Sequence, residues 1–283
     1  MSKRGIVTSA VTKEQRLAAY TLSNSVKISN DIETALIVNK LSDVTEKDQE
    51  SFDYIIEMPY GSFYDLRSND WQLYWTTPFE STIYIHPFSL VNVNLDSVFN
   101  YFEYSYDVGF PTMQHRINGK VAKLSDDVYN TMGLTKVNSN MFYFNKSDNA
   151  LKYFKMCDPL FQNWRDAQAK LITEKQYIRK YYDSDLMHTL VCYGVDEPAD
   201  YFCDIKLLNL YDMQIETNLM KEKKLIERSW SEKLNYWVTP NSNIKIQNYN
   251  ISGILTYHDY EFLTGEIYDH YRITHKKQHA ALG

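Results

Sequence analysis

The chain has 283 residues, 44% hydrophobic and 23% charged, with a formal net charge of −6. That length affords a sizeable core and one large domain or two small ones. The ordinary apolar balance excludes a disordered chain, the lack of any run of about 18 apolar residues excludes a membrane helix, and the acidic field opposes nucleic-acid binding outside a local basic patch.

Tyrosine is abundant, 24 against 13 Phe and 5 Trp, while Gly numbers only 9. The tyrosines are spread along the whole chain, which fits a compositional bias better than a ring-stacking surface. Cys157, Cys192 and Cys203 form no close pair and leave an odd count, as expected of free thiols in a reducing compartment. The opening MSKRGIVTSAV has no apolar stretch long enough for a signal peptide, so the expected location is the cytoplasm.

GIVTSAV at 5–11 is a β-rich run. The following TKEQRLAAYTLSNSVKIS predicts a helix with Leu17, Tyr20, Leu22 and Val26 on its apolar face, and Thr12 with Gln15 fits a capping box at its start. IETALIV at 32–38 and FDYIIEMP at 52–59 read as strands, so the chain opens as a βαβ unit with a parallel sheet. STIYI at 81–85 is a further strand that should stop at His86-Pro87, because proline cannot donate to a central ladder.

NLDSVFNYFEY reads as a helix with Leu95, Val98 and Phe102 inward, YDVGFP as a strand, and NMFYFNKS at 140–147 as another. The long helix after it carries Leu151, Phe154, Cys157 and Phe161 at helical spacing. Helical text continues over 165–182, mixed strands and loops follow, and a last helix is expected over 260–271. No internal repeat or low-complexity linker interrupts the chain.

In this order GIVTSAVTKEQRLAAYTLSNSVK, ETALIV, TPFESTIYI with LVNVNLDSVF, YDVGFP and VNSNMFYFNKSDNALKYFKMC resemble a nucleotide-sugar glycosyltransferase of the GT-A type. The likeness covers 5–204 and is nearest the family-eight-like group with its divergent bacterial and phage relatives. It implies an α/β fold, Rossmann-like, with a mixed and mainly parallel sheet flanked by helices. It also implies one domain: 1–110 as a nucleotide-sugar-binding half, 111–283 as an acceptor-side half with the C-terminal helix.

Site residues follow from the same resemblance. Thr8, Ser9 and Ala10 would line the base and ribose of the donor, Arg67 would lie near it, and the small polar turn Asn138, Ser139 and Asn140 would face the sugar. An Asp-x-Asp at the end of the TIYI strand would hold Mg²⁺ or Mn²⁺ on the diphosphate. Here that slot reads His86-Pro87-Phe88. An acidic pair facing the acceptor has its candidate in Asp196 and Glu197, and a late metal-site histidine in His258, with Asp259 beside it.

Each assignment has a plainer alternative. His86 and His258 together make a two-ligand site, too few to hold a cation well. A cationic His86, Arg67 or a lysine would serve the diphosphate instead, and a strand-end histidine needs no role at all. Asp196 and Glu197 would act as base or as stabiliser of charge at the anomeric carbon, or simply start a helix before Pro198. Trp71, Trp75 and Trp164 stack on a sugar or pack in the core.

Dinucleotide, Walker, nucleophile-elbow and zincin motifs are all missing. The resemblance implies a glycosyltransferase that uses a nucleotide-diphosphate sugar, with a metal-independent mechanism favoured over Mn²⁺ or Mg²⁺ because the Asp-x-Asp slot carries no carboxylate. The acceptor is open; the compositional bias and the phage likeness admit modified DNA bases, against the acidic charge. The alternative is a catalytically silent binding protein on the same scaffold. A nucleotide-sugar pyrophosphorylase would need a Gly-rich first loop, which TSAVTKEQR lacks.

Overall fold

The computed structural model describes residues 3–60, 67–122, 127–194, 198–227 and 229–282. Its strands in chain order are β1 (Arg4–Ala10), β2 (Glu33–Val38), β3 (Tyr54–Glu57), β4 (Ser81–Ile85), β5 (Ser89–Val91), β6 (Val108–Pro111), β7 (Gln114–His115) and β8 (Val121–Ala122). They continue as β9 (Met141–Asn145), β10 (Phe202–Cys203), β11 (Leu210–Asp212), β12 (Tyr236–Val238), β13 (Ile244–Ile246), β14 (Tyr249–Ile251) and β15 (Ile254–Thr256). A seven-stranded sheet runs β10-β6-β9-β4-β1-β2-β3, parallel throughout except for β9.

The central strands are apolar on both faces because helices cover both. Successive side chains alternate between faces. Val7, Tyr84, Phe142 and Phe144 join the core made with helices Asp148–Gln162 and Ser184–Gly194. Ile6, Ile83, Ile85, Met141 and Tyr143 face helices Lys13–Ser29 and Asp96–Ser105. Thr12 and Gln15 form the expected capping box.

At Ile85 the chain leaves this sheet, and at Ser89 it enters a second one, ordered β5-β15-β11-β7-β8. The crossing is His86-Pro87-Phe88. Phe88 is buried, with its ring edge-on to Tyr257 and Tyr260 at centroid distances of 5.8 and 4.7 Å. A small antiparallel sheet, β12-β13-β14, packs Ile244 and Ile246 into the same core. All three cysteines are free and buried, and among the described residues no helix is long and apolar enough to cross a membrane.

Three expectations need correction. Leu17 is exposed; helix Lys13–Ser29 is instead buried on all sides from Ala18 to Val26, between the sheet, β5 and the C-terminal helix. Helix Trp164–Leu171 ends well short of residue 182, because the Gln168 side chain accepts from the Arg179 amide at 2.7 Å and folds the chain back. The last helix is Gly265–Leu282, since Asp259 caps a separate short turn at Tyr260–Phe262.

Gly253 joins β14 to β15 at φ 150° and lies against the Asn209 carbonyl, which accepts from Ile254 at 3.0 Å. A Cβ there would overlap that oxygen. Gly253→Ala should therefore destabilise the second sheet by about 1–3 kcal/mol, seen as a Tm lowered by several degrees in thermal unfolding. An unchanged Tm would mean that this junction yields freely.

Candidate active site

The carboxyl ends of β4, β11 and β15 open onto one cavity of about 820 Å³. Ligands of open α/β sheets bind at this end of the strands. His86 follows β4 directly, half-buried in the wall. Its amide donates to the Asn140 carbonyl at 2.8 Å, and its Nδ1 accepts from the Phe88 amide at 3.3 Å. Burial, with Arg67 and His258 nearby, pushes the imidazole well below its ordinary value, so the neutral form prevails.

β9 runs antiparallel to β4, which places the turn before β9 beside the end of β4. Asn138 closes that turn by accepting from the Asn140 amide at 3.1 Å. The Asn140 side chain donates to Asp212 Oδ2 at 3.2 Å. Arg67 packs across the same turn, donating to the Ser139 carbonyl at 2.5 Å and reaching Asn140 Oδ1 at 3.5 Å. Its Nε donates to buried Asp70 at 2.8 Å, and its guanidinium lies 5.2 Å from the Tyr84 ring centroid. Burial alone would weaken its charge, but Asp70 outweighs that and holds Arg67 protonated.

Asp212 ends β11 and caps helix Met213–Glu222 through the Gln214 amide at 2.8 Å. Gln114 donates to its other oxygen at 2.9 Å. His258 follows β15 with φ 54°, a strained backbone for a non-glycine residue. That turn sets Nε2 3.0 Å from Asp212 Oδ1, an ion-pair distance off the line of a good hydrogen bond. Burial would lower the His258 pKa, but Asp212 overcomes it and raises the value.

Opposite stands Asp183-Ser184-Asp185, at the start of helix Ser184–Gly194. Asp183 caps that helix by accepting from the Leu186 amide at 3.0 Å. Burial, together with Asp185 beside it, pushes the Asp183 carboxyl up. Asp185 is as buried, yet Lys136 at 3.2 Å and two hydrogen bonds from Ser139, at 2.9 and 2.6 Å, hold it down. Two neighbouring carboxyls driven apart in this way are suited to different proton roles.

Arg67, His86, Ser139, Asn140 and His258 thus meet on one cavity. Thr8, Ser9, Ala10 and Asn138 are buried and do not line it, and the first turn of helix Lys13–Ser29 contributes Gln15 instead. Asp196 and Glu197 lie outside the described residues. Sequence reasoning missed Asp183, Asp185, Lys136, Gln114 and Asp212. The Asp-x-Asp spacing looked for at 86–88 stands at 183–185, before an apolar helical run, and was a legible signal; Lys136, Gln114 and Asp212 carried none.

A divalent cation of the kind implied by the sequence resemblance needs several converging hard ligands. Among the described residues no group of three His, Cys, Asp or Glu side chains converges in that way. Asp212, the carboxylate that meets His258, is already taken up by Gln214, Gln114 and Asn140. The described residues do not fit such a cation.

These protonation states predict an acid-sensitive fold. His86 and His188 are held below 6.5 by burial, as are His115 and His270. The unfolded chain then binds more protons than the native one, and stability falls as pH drops through about 6.5, by up to about 1.4 kcal/mol per pH unit for each histidine. His258 has the opposite sign: its stabilisation is present below 6.5 and is lost as pH rises through its raised value. Urea unfolding at pH 7.5 and 5.5 should show lower stability at 5.5, with a smaller loss in His188→Gln. Equal stability at both pH values would contradict these assignments.

No protein-family model matches the sequence, and no curated protein matches it. Solved structures do. The glycosyltransferase GlyE of Streptococcus pneumoniae TIGR4 aligns with a TM-score of 0.53 and 11% identity, over 99% of this chain and 64% of GlyE. Its apo form gives 0.52 at the same identity and coverage. Mouse xyloside xylosyltransferase 1 gives 0.48 at 8% identity, over 71% of this chain and 84% of its own. This chain thus spans about two thirds of GlyE, and the likeness is one of fold: a mixed, mainly parallel sheet flanked by helices, the GT-A glycosyltransferase architecture.

Proposed function

We propose that this protein transfers a sugar from a nucleotide-diphosphate donor to a hydroxyl-bearing acceptor, with side-chain cations in place of a divalent metal. The observation that carries the reading is one cavity, at the carboxyl ends of the strands, that sets buried Arg67 against two carboxylates of opposite proton affinity. The GT-A fold supports it as an analogy, because fold alone does not fix function. In this reading 1–110 forms the donor-side half, which supplies Gln15, Arg67 and His86, and 111–283 forms the acceptor-side half.

In the reaction the bond between the anomeric carbon and the diphosphate oxygen breaks, and a bond from that carbon to the acceptor oxygen forms. The acceptor proton goes to Asp183, whose raised pKa suits a general base. Three N–H groups of Arg67 are engaged by Asp70, Ser139 and Asn140, so the others remain for the diphosphate. His258, whose pKa Asp212 raises, adds a second positive charge, when protonated, for the charge that develops on the leaving group. Asp185, fixed by Lys136 and Ser139, keeps the sugar-facing turn in place.

One observation favours a silent binding protein instead: Phe88 fills the core where a metal-binding carboxylate would stand. The two readings separate in a thermal-shift screen of the purified protein against nucleoside diphosphates and nucleotide sugars, with and without EDTA. A donor that binds only the folded protein raises Tm with the logarithm of its concentration over Kd. Transfer predicts a shift that survives EDTA, is weakened about tenfold or more in affinity by Arg67→Ala, and is kept in Asp183→Asn while turnover falls about 100-fold. A shift that requires Mn²⁺ would overturn the metal-free mechanism, and no shift with any donor would favour the silent scaffold.

A further inference from the structure

Behind Arg67 runs a line of buried polar groups that this chemistry leaves unused. Tyr153 and His188 are fully out of solvent, and Asp70 is 1% exposed. The Tyr153 hydroxyl lies 2.7 Å from His188 Nδ1, and His188 Nε2 lies 3.2 Å from Asp70 Oδ2. The same oxygen accepts from Arg67 Nε at 2.8 Å, with the Ser184 hydroxyl at 3.5 Å. Among the described residues Asp70 Oδ1 has no hydrogen-bond partner, so their donors to this carboxylate converge on one oxygen.

The direction of each bond follows from the chemistry of the groups. Asp70 only accepts when ionised, so the His188 proton sits on Nε2 and Nδ1 accepts from the Tyr153 hydroxyl. Burial, aided by the Arg67 charge, lowers His188 against the pull of Asp70, which leaves the imidazole neutral. Phe110, Phe142 and Phe161 pack around the ring at centroid distances of 4.9, 5.1 and 4.9 Å, fixing its plane. The chain therefore ends in a carboxylate oxygen of fixed position, facing a guanidinium whose other edge lines the cavity.

We infer that Asp70, His188 and Tyr153 are positioning residues that brace the Arg67 guanidinium from behind and aim its free N–H groups at the diphosphate of the donor. The inference rests on the reading that Arg67 takes that diphosphate. A planar fork recognises phosphate oxygens only when its plane is set. Arg67 forms one bond with Asp70 through Nε rather than a fork-to-fork pair, so the brace fixes the stem, and each outer nitrogen keeps one N–H beyond its bond to Asn140 or Ser139. Supporting groups of this kind orient the residues that touch a ligand, much as outer-shell partners orient metal ligands.

The test is calorimetric titration of the full chain with uridine, adenosine, guanosine, cytidine and thymidine diphosphates, followed by variants measured with the tightest of them and with its monophosphate. Arg67→Ala should weaken the diphosphate about tenfold or more and leave the monophosphate within about twofold. His188→Phe should reproduce most of that diphosphate-specific loss without touching the cavity. His188→Gln, which offers an amide N–H toward Asp70, should restore affinity to within about threefold. Tyr153→Phe, which removes one hydroxyl and stays folded if His188→Phe does not, should give a smaller loss of the same diphosphate-specific kind.

Loss in Arg67→Ala with full affinity in His188→Phe and Tyr153→Phe would overturn the inference and leave the donor reading intact. Equal losses of diphosphate and monophosphate in the His188 variants, with no recovery in His188→Gln, would reduce the chain to core packing. Full affinity in Arg67→Ala, or no binding of any diphosphate to the unaltered protein, would remove the reading of Arg67 and the inference with it.

Discussion

The site depends on one aromatic anchor. Phe88 is held by Tyr257 and Tyr260, and its carbonyl accepts from the Tyr257 amide at 2.9 Å. This ties the exit of β4 to the exit of β15, so strands of two different sheets end at the same place. Burying the ring is worth about 2–3 kcal/mol, and Pro87 ensures that β4 does not run on past it. His86 and His258 follow these two strand ends, and their rings stand 5.8 Å apart. The residue that replaces an expected carboxylate thus has a structural role: it fixes the cavity by apolar packing.

Charge arrangement follows from that geometry. Basic groups that line the cavity stand beside carboxylates, with Arg67 on Asp70 behind it, Lys136 on Asp185, Arg179 near Asp183 and His258 on Asp212. Pairing is what allows so many charges to stand in a half-buried wall, since an unpaired buried charge is costly. It also sets protonation. The same burial that raises Asp183 leaves Asp185 low, because Asp185 has Lys136 at 3.2 Å and two Ser139 donors, whereas Asp183 accepts from the Leu186 amide and meets Arg179 only at 3.6 Å.

How much of this was legible in the sequence follows from the range of each interaction. GIVTSAV, ETALIV, STIYI and MFYFN read correctly as strands because apolar alternation and short turns are local signals. The Thr12–Gln15 cap was legible for the same reason. The end of helix Trp164–Leu171 was not, since it is set by Gln168 reaching residue 179. His86, Ser139, Asn140 and His258 were picked out because they lie beside strand ends, where a fold resemblance transfers position, and Arg67, at the start of the short helix Arg67–Gln72, came from the resemblance alone. Asp212 and Gln114 come from strands of three and two residues, too short for any periodicity, and only the pairing of β11 with β7 and β15 brings them in.

In the proposed reading fixed side chains stand in for a metal, which carries its own electrostatic requirement. A divalent ion brings two charges and arrives with the donor, whereas Arg67 brings one and is partly offset by Asp70. The offset is smaller than the sum of charges suggests, because interaction energy falls with distance and rises in a low dielectric. A phosphate against the outer nitrogens of Arg67 would stand one guanidinium width nearer to the cation than to Asp70, so the pair acts as an oriented dipole with its positive end to the cavity. An oriented dipole works only while its orientation is held. Among the described residues that hold comes from buried Asp70, which accepts from Arg67, His188 and Ser184 through one oxygen, while His258, whose pKa Asp212 raises, adds positive charge at the same cavity when protonated.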